Sequence, residues 1–599
     1  MATTLLGLVM AAVALFLTHL INLFTHLAFF GHWSWEACAP SENSLGGWVM
    51  FVPVLGGLLV GIMARFGSKA IRGHGIPEAM EQILQNRSRI PARLTWLKPL
   101  SAAISIGTGG PFGAEGPIIA TGGASGSLVG QIFSTTAMER KILLAAGAAA
   151  GMSATFGSPV SAVVLAIELL LFEFKPRSFV PVALASVTAA SARNIWLPTK
   201  PMFSVAEITP VHLAELSFYL ALGALVGVIA VGITRSIYWI EDQFEKLPVH
   251  WMWWPALGAV VVGIIGYWQP KTLGVGYDNI SNILNASLPL GLVVSLCLLK
   301  FISWSVALGS GTSGGTLAPL LTFGSGIGLL LGNAGGWALP VLHVQPHLAA
   351  LVGMAALFAA ASQALFASVI FACETTGQMQ ALLPLLAGCS TALVTAKFLY
   401  GNSIMSEKIA RRGVSVPSEY SSDVYAHTRV AEVMDTQAPV IASQMPIQEL
   451  ISQLASHDSE LNQHQAYLLV GDEGQLEGII TRGDLVKMVE LADLQQPVRR
   501  FASKNLIVIF PEDTLHTAVE KLLRHRIGRL PVVKSENPSC LIGYLSRADI
   551  LSARQRYYEE ELQPETGWLA QGMGINGLRI PLFPFSNKRK EDPAYDSEN

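Results

Sequence analysis

Gly107-Thr-Gly-Gly-Pro-Phe-Gly-Ala-Glu-Gly-Pro117 and Gly309-Ser-Gly-Thr-Ser-Gly-Gly-Thr-Leu-Ala-Pro319 are two versions of one segment. Gly107, Gly113 and Pro117 fall on Gly309, Gly315 and Pro319 at a constant offset. A second matched pair follows, Gly147 to Glu168 against Gly353 to Glu374, with a glutamate closing each. Glycines used only for close helix packing would be scattered. Matched clusters ending in proline indicate a duplicated unit instead, with halves at about residues 1–210 and 211–405. Carriers built from two such halves often relate them by inversion and place their sites where broken helices meet.

The surroundings of both segments are apolar. Of 599 residues, 51% are hydrophobic and 14% charged, where a soluble chain carries about 25% charged residues; the mean hydropathy is +0.46. Met1 to Phe30 contains no Lys, Arg, Asp or Glu, and Leu213–Ile233, Trp254–Trp268 and Ala381–Ala396 carry almost none. Runs of roughly 20 apolar residues span a bilayer as helices; the shorter or Gly-broken ones predict tilted, re-entrant or partial helices. No basic region precedes the first run, so it reads as a membrane helix and not as a signal peptide. The loop Gly31–Gly47 has Glu36 and Glu42 but no Lys or Arg. The next, Arg65–Lys98, holds Arg65, Lys69, Arg72, Arg87, Arg89, Arg93 and Lys98, which places it on the cytoplasmic side. From about Glu407 the composition becomes that of a soluble protein, expected on the same side. A net charge of −3 gives nucleic acid no footing. The five cysteines show no CxxC spacing and read as small apolar residues, with no disulfide or zinc site.

Proline favours the first helical position, so helices are expected to begin at Pro117 and Pro319. The glycines ahead of them let the backbone bend and expose N–H groups. A helix start offers unsatisfied donors and a partial positive charge. Two starts aimed at one point hold an anion without a full positive charge, which leaves the ion able to depart. Gly73-His-Gly-Ile-Pro77 is a third cluster of this kind. Glu115 sits inside the first. An acid in a membrane segment is costly and marks function. Ionised, its carboxylate can occupy the anion's own place; protonated, it can leave, so one residue serves as gate and proton carrier. The competing reading is a structural acid in a first helical turn.

These motifs resemble those of the CLC chloride channel and transporter family over about residues 1–410. Gly73-His-Gly-Ile-Pro77 is similar to GSGIP, Gly113-Ala-Glu-Gly-Pro117 to G(K/R)EGP, and Gly315-Thr-Leu-Ala-Pro319 to GxFxP. The resemblance implies an all-α membrane domain of two inverted repeats, a homodimer with one anion pathway per subunit, and Glu115 as external gate. It implies anion contacts around Gly73, His74, Gly75, Ile76, Gly113, Ala114, Gly116, Leu317, Ala318 and Met405. Four positions depart from the family pattern: His74 replaces a serine, Ala114 a basic residue, Leu317 a phenylalanine, and Met405 the pore tyrosine, with Tyr400 close by. The inner proton-relaying glutamate falls on Leu169, directly after Glu168. Glu168 then reads as a proton-path acid or a structural one, Glu173 as a substitute inner acid, and Glu374 as structural. His74 either replaces serine as a donor or, titrating near neutral pH, favours an oxyanion such as bicarbonate or nitrate.

A second repeat lies in the soluble part, residues 426–555, after a linker over 411–425. Gly478-Ile-Ile-Thr-Arg-Gly-Asp-Leu485 matches Gly543-Tyr-Leu-Ser-Arg-Ala-Asp-Ile550, each after an apolar strand-like run and ahead of a helical pattern. The two units, about 429–491 and 496–552, resemble a tandem α/β pair of CBS domains. The resemblance implies an adenine nucleotide held by Thr481, Asp484, Ser546 and Asp549, or an empty pair acting as a dimer scaffold. Residues 556–599 read as a flexible tail, and Lys588-Arg-Lys590 within it as a solvated end.

The expectation is a multi-pass protein of a bacterial inner membrane that moves chloride or a related anion, exchanging it for protons, with cytoplasmic CBS domains as modulators. Its partners are the anion, protons, a second copy and lipid, with no required cofactor. A passive channel gated by voltage or pH is the first alternative, and oxyanion transport the second. A nucleotide sensor with a membrane anchor leaves the matched clusters unexplained. A cation carrier lacks a cluster of membrane acids, and no nucleophile–base set suggests an enzyme.

Overall fold

Chain inside a bilayer must satisfy its own N–H and C=O groups, so uncharged apolar runs become helices. The computed structural model describes residues 2–197, 200–413, 425, 428–455, 461, 464–491, 494–562 and 565–569. The chain divides into two compact units, Met1–Ser421 with Pro564–Asn599, and Ser422–Gln563.

In the first unit the N-terminal half supplies α1 (Ala2–Thr25), α2 (Val52–Phe66), α3 (Ile76–Gln85), α4 (Leu94–Gly107), α5 (Glu115–Ile132), α6 (Ala137–Phe156), α7 (Pro159–Ala166) and α8 (Pro176–Trp196). The second half supplies α9 (Leu213–Glu245), α10 (Trp254–Trp268), α11 (Tyr277–Leu284), α12 (Leu290–Gly309), α13 (Leu317–Ala338), α14 (Pro346–Ser362), α15 (Leu365–Thr376) and α16 (Leu382–Leu399), closed by α17 (Glu407–Arg411). Among the described residues, seven spans, including α9, α12 and α13, are long and apolar enough to cross a membrane, and α7, α14 and α15 are shorter apolar pieces. Leu5, Phe16, Leu55, Leu298 and Val394 point outward, as a lipid-facing surface requires.

The halves repeat each other's packing. α1 lies on α8 and α5 on α6, as α9 lies on α16 and α13 on α14. Between the halves α7 meets α15. Glu168, in the wide turn after α7, accepts from the amides of Phe366 (3.1 Å) and Ala367 (3.0 Å) in the first turn of α15. Glu374, near the end of α15, accepts from Val160 (3.0 Å) and Ser161 (2.8 Å) in the first turn of α7. The start of each helix sits beside the end of the other, so they run antiparallel, as an inverted repeat demands. One expectation is corrected: α5 begins at Glu115 and α13 at Leu317, two residues ahead of Pro117 and Pro319. A first-turn proline forfeits no hydrogen bond, because N–H groups there have no intrahelical partner.

The second unit is two small α/β modules. The first holds β1 (Val440–Ala442), α18 (Ile447–Ala455), β2 (Ala466–Val470), β3 (Leu476–Thr481) and α19 (Arg482–Leu491). The second holds α20 (Leu515–Arg524), β4 (Arg529–Lys534), β5 (Asn537–Ser546) and α21 (Arg547–Leu562). β2 pairs parallel with β1 and antiparallel with β3, and β4 pairs antiparallel with β5. Each module closes on its own core, around Ile441, Leu450 and Leu469 in one and Val430, Leu522 and Leu545 in the other.

The tail is not flexible throughout. α21 continues to Leu562, and residues 565–569 pack against the membrane unit. The Glu565 amide donates to Thr135 O at 2.9 Å, and the Gly567 amide to Ser134 Oγ at 3.1 Å. The Glu565 carboxylate pairs with Arg89 and the buried Arg140, with Arg87 at 3.6 Å. Burial opposes its ionisation, but the hydrogen bonds from Arg89 and Arg140 hold the carboxyl below the usual range. The clasp is therefore complete at neutral pH and loosens only as acid protonates Glu565. Gly567 is needed, since a Cβ there would lie 2.4 Å from the Phe133 carbonyl carbon. Most of the linker and residues 570–599, Lys588–Lys590 among them, lie outside the described residues. Glu565→Ala should raise amide exchange several-fold over 565–567; unchanged exchange, read by mass spectrometry, would mean that the ion pairs do not hold the segment.

Candidate functional site

Three glycine-bearing loops meet backbone to backbone. The Gly73 amide donates to Thr312 O at 3.1 Å, and Gly113 and Gly315 exchange amide–carbonyl bonds of 3.2 and 2.9 Å. A Cβ on Gly116 would lie 2.1 Å from His74 O and 3.0 Å from the Gly315 Cα, and one on Gly75 would lie 2.5 Å from Gly116 O. Gly73 and Gly75 also take φ of +91° and +95°, open cheaply only to glycine. Lys98, buried on α4, donates to Ile71 O and Gly73 O at 2.8 Å each and holds the first loop. Ser101 donates to Ser313 at 3.0 Å, tying that helix to the third.

The starts of α5 and α13 converge on the Glu115 side chain. It is 0% exposed. Oε1 accepts from the Tyr277 hydroxyl at 2.8 Å. Oε2 is buried without a hydrogen bond and rests over Gly113, where a Cβ would be 1.6 Å away. The Ala318 amide, in the first turn of α13, lies against the same carboxylate. The carboxyl group thus occupies the spot where two helix starts present donors.

A cavity approaches this point from each side, here termed inner and outer after the orientation that the Lys and Arg placement predicts. The inner one, of about 680 Å³, is lined by Arg72, Gly73, His74, Glu78, Tyr238 and Lys408 among others. The outer one, of about 440 Å³, is lined by Asn22, Thr25, Ala114, Gly276, Tyr277 and Asp278 among others. His74, on the wall of the inner cavity, is 6% exposed, and its Nδ1 is buried without a hydrogen bond. Ile76, Leu317 and Ala318 are buried in the first turns of α3 and α13.

Other expected residues stand apart. Both Glu168 oxygens are engaged by α15 amides. Glu173 accepts from Ser178 and pairs with Lys175 at 3.0 Å. Met405 is fully buried, and the phenol on this cavity is that of Tyr238, which donates to Ile404 O at 2.8 Å. Glu78, not foreseen from sequence, caps α3 by accepting from the Gly75 amide at 2.7 Å. Its Oε1 is buried without a hydrogen bond, 3.7 Å from Lys408 Nζ. A clue was available for Lys98 and Lys300, single cations in otherwise apolar helices; Tyr277 and Glu78 offered none.

In the soluble modules the signature residues cap helices. Asp484 Oδ2 accepts from the Thr481 amide (3.0 Å) and hydroxyl (2.7 Å), while the Asp484 amide returns a bond to Thr481 Oγ1 at 3.4 Å. Ser546 and Asp549 repeat this at 2.7, 2.7 and 3.3 Å. Each cap stabilises its helix by about 1 kcal/mol.

The family model described as voltage gated chloride channel matches residues 56–397, and the CBS domain model matches 430–491 and 498–556. Chloride channel protein CLC-f of Arabidopsis thaliana is 28% identical over 558 residues, 81% of this chain and 70% of that protein. The crystal structure of a slow cyanobacterial Cl−/H+ antiporter aligns with a TM-score of 0.62 at 24% identity, covering 69% of this chain and 97% of that one. That of a eukaryotic CLC transporter aligns with a TM-score of 0.59 at 18% identity, covering 91% and 97%. At these identities the solved structures speak for the fold: a mostly helical membrane domain, followed in the chain by the α/β CBS pair.

Proposed function

The chain belongs to the voltage gated chloride channel (CLC) family, and from that premise we propose that it exchanges chloride or a related monovalent anion for protons, with Glu115 as the gate. The observation that carries this reading is the Glu115 carboxylate, fully buried between two helix starts and between two cavities. An anion replacing it meets the donors that hold the carboxylate. Release stays easy, since those donors are dipoles and not charges. The like-folded cyanobacterial protein is a Cl−/H+ antiporter, which supports exchange over passive flow.

The inner half of the proton route is assigned to Glu78. Glu168 spends both oxygens on α15 amides, and losing an acceptor there leaves buried donors unpaired. Glu78 lines the inner cavity with one oxygen unbonded. If Glu78 carries no protons, the engagement of Glu168 favours the second reading, a passive channel. The CBS pair would modulate transport from the cytoplasm of a bacterial cell in a homodimer, binding adenine nucleotide at the faces of Asp484 and Asp549 not used in capping.

In liposomes with an imposed chloride gradient, uphill proton movement without an ionophore is expected, and chloride flux alone would make the protein a channel. Glu115→Gln should abolish proton coupling and keep some anion flux; surviving coupling would remove it as the gate. Glu78→Gln should reduce the proton flux carried per anion, whereas Glu168→Gln should leave that ratio unchanged; the reverse pattern would return the relay to Glu168. His74→Ser should shift selectivity toward chloride over nitrate by several-fold, measured by competing efflux. Unchanged selectivity would mean that the imidazole does not touch the ion.

A further inference from the structure

The offset that carries Gly107 to Gly309 also carries Lys98 to Lys300, Gly73 to Val275 and Gly75 to Tyr277. The bonding follows the same relation. Lys98 clasps the loop ahead of α3 through Ile71 O and Gly73 O. Lys300, buried on α12, clasps the loop ahead of α11 through Gly274 O at 3.1 Å and Val275 O at 3.2 Å. The first loop lines the inner cavity and the second the outer one. Inversion has built the same device twice, once on each side of Glu115. Where the inner loop has Gly75, the outer loop has a tyrosine.

We propose that Tyr277 is the outer latch of the Glu115 gate, holding the carboxylate in place and donating to the anion that replaces it. The proposal rests on Glu115 being the gate. The hydroxyl is aimed by packing: Phe156 and Phe203 each meet the Tyr277 ring edge-on, with centroids 6.1 Å away. It donates to Glu115 Oε1 at 2.8 Å, and the ring forms part of the wall of the outer cavity. A donor to a carboxylate favours the ionised form, so the latch keeps the gate shut until a proton arrives. When the protonated side chain withdraws, the same O–H is left facing the vacated place. Of the groups around the pair, Lys300 acts on Glu115 by its charge, with its ammonium held by two carbonyls. Cys38, Glu42, Lys271 and Asp278 line the outer cavity. From α13 the facing group is the Ala318 amide.

Tyr277→Phe removes the donor and keeps the ring. With full-length protein in liposomes, the external-pH midpoint of chloride uptake should rise by about one pH unit, since the ionised gate loses a charge-assisted bond. The apparent KM for external chloride should rise about fivefold. In Glu115→Gln/Tyr277→Phe the pH shift should vanish while the KM effect persists, because position 115 no longer titrates. A purely structural tyrosine would leave both the midpoint and the KM of Tyr277→Phe at wild-type values, and that result overturns the latch. Coupled proton movement surviving in Glu115→Gln would instead overturn the gate reading, and the latch with it.

Discussion

A carboxylate at zero exposure is the constraint on which the membrane unit depends. Burying such a charge without donors costs several kcal/mol. Around Glu115 the donors are a phenol and the amides at helix starts, and helix starts exist only where the chain breaks. Broken chain inside a bilayer must pair its own polar groups or line a cavity. The glycine loops do both. Their paired amides and carbonyls at Gly73–Thr312 and Gly113–Gly315 come so close that even one methyl group at Gly116 would collide with His74 O. The matched clusters are thus the condition for a charge to sit there at all.

The duplicated fold supplies the second support. α7 and α15 are short and end inside the membrane unit, where an unmet first turn would be costly. Each borrows a carboxylate from the other half, Glu374 for α7 and Glu168 for α15. The exchange bonds the two halves together and fixes them antiparallel. It also separates two acids that look alike in sequence. Glu115 has one oxygen bonded and one buried without a hydrogen bond, as the proposed gate requires; Glu168 has both bound, as a brace requires.

Much of this was legible in the chain. The Gly–Pro clusters, their common offset, the exposed first-turn amides and Glu115 follow from local chemistry and repetition. So do the soluble modules, because G-h-h-[ST]-R-x-D-h, with h apolar, brings a strand, a cap and a helix together within eight residues. What was illegible depends on contacts distant in sequence. Nothing near Glu565 indicates that Arg89 and Arg140, more than four hundred residues earlier, will receive it, so the tail read as free. Tyr277 opens an unremarkable helix, and its meaning emerges only beside Glu115. The helix starts were displaced by two residues because a first turn tolerates proline at several positions.

The two clasping lysines show how the fold handles full charge. Lys98 and Lys300 lie buried in apolar helices close to the pathway, where a bare ammonium would hold an anion too tightly for rapid release. Each instead spends its donors on two carbonyls of the loop it supports. Those contacts orient the loops and keep each ammonium engaged with backbone oxygen. On the proposed pathway the ion then meets amide dipoles, with an imidazole on the wall of one cavity and a phenol on the wall of the other. All of these bind more weakly than an unpaired cation. In the proposed cycle, weak donors on either side of one removable carboxylate let binding and release alternate, and the repeat supplies one lysine-clasped loop to each cavity.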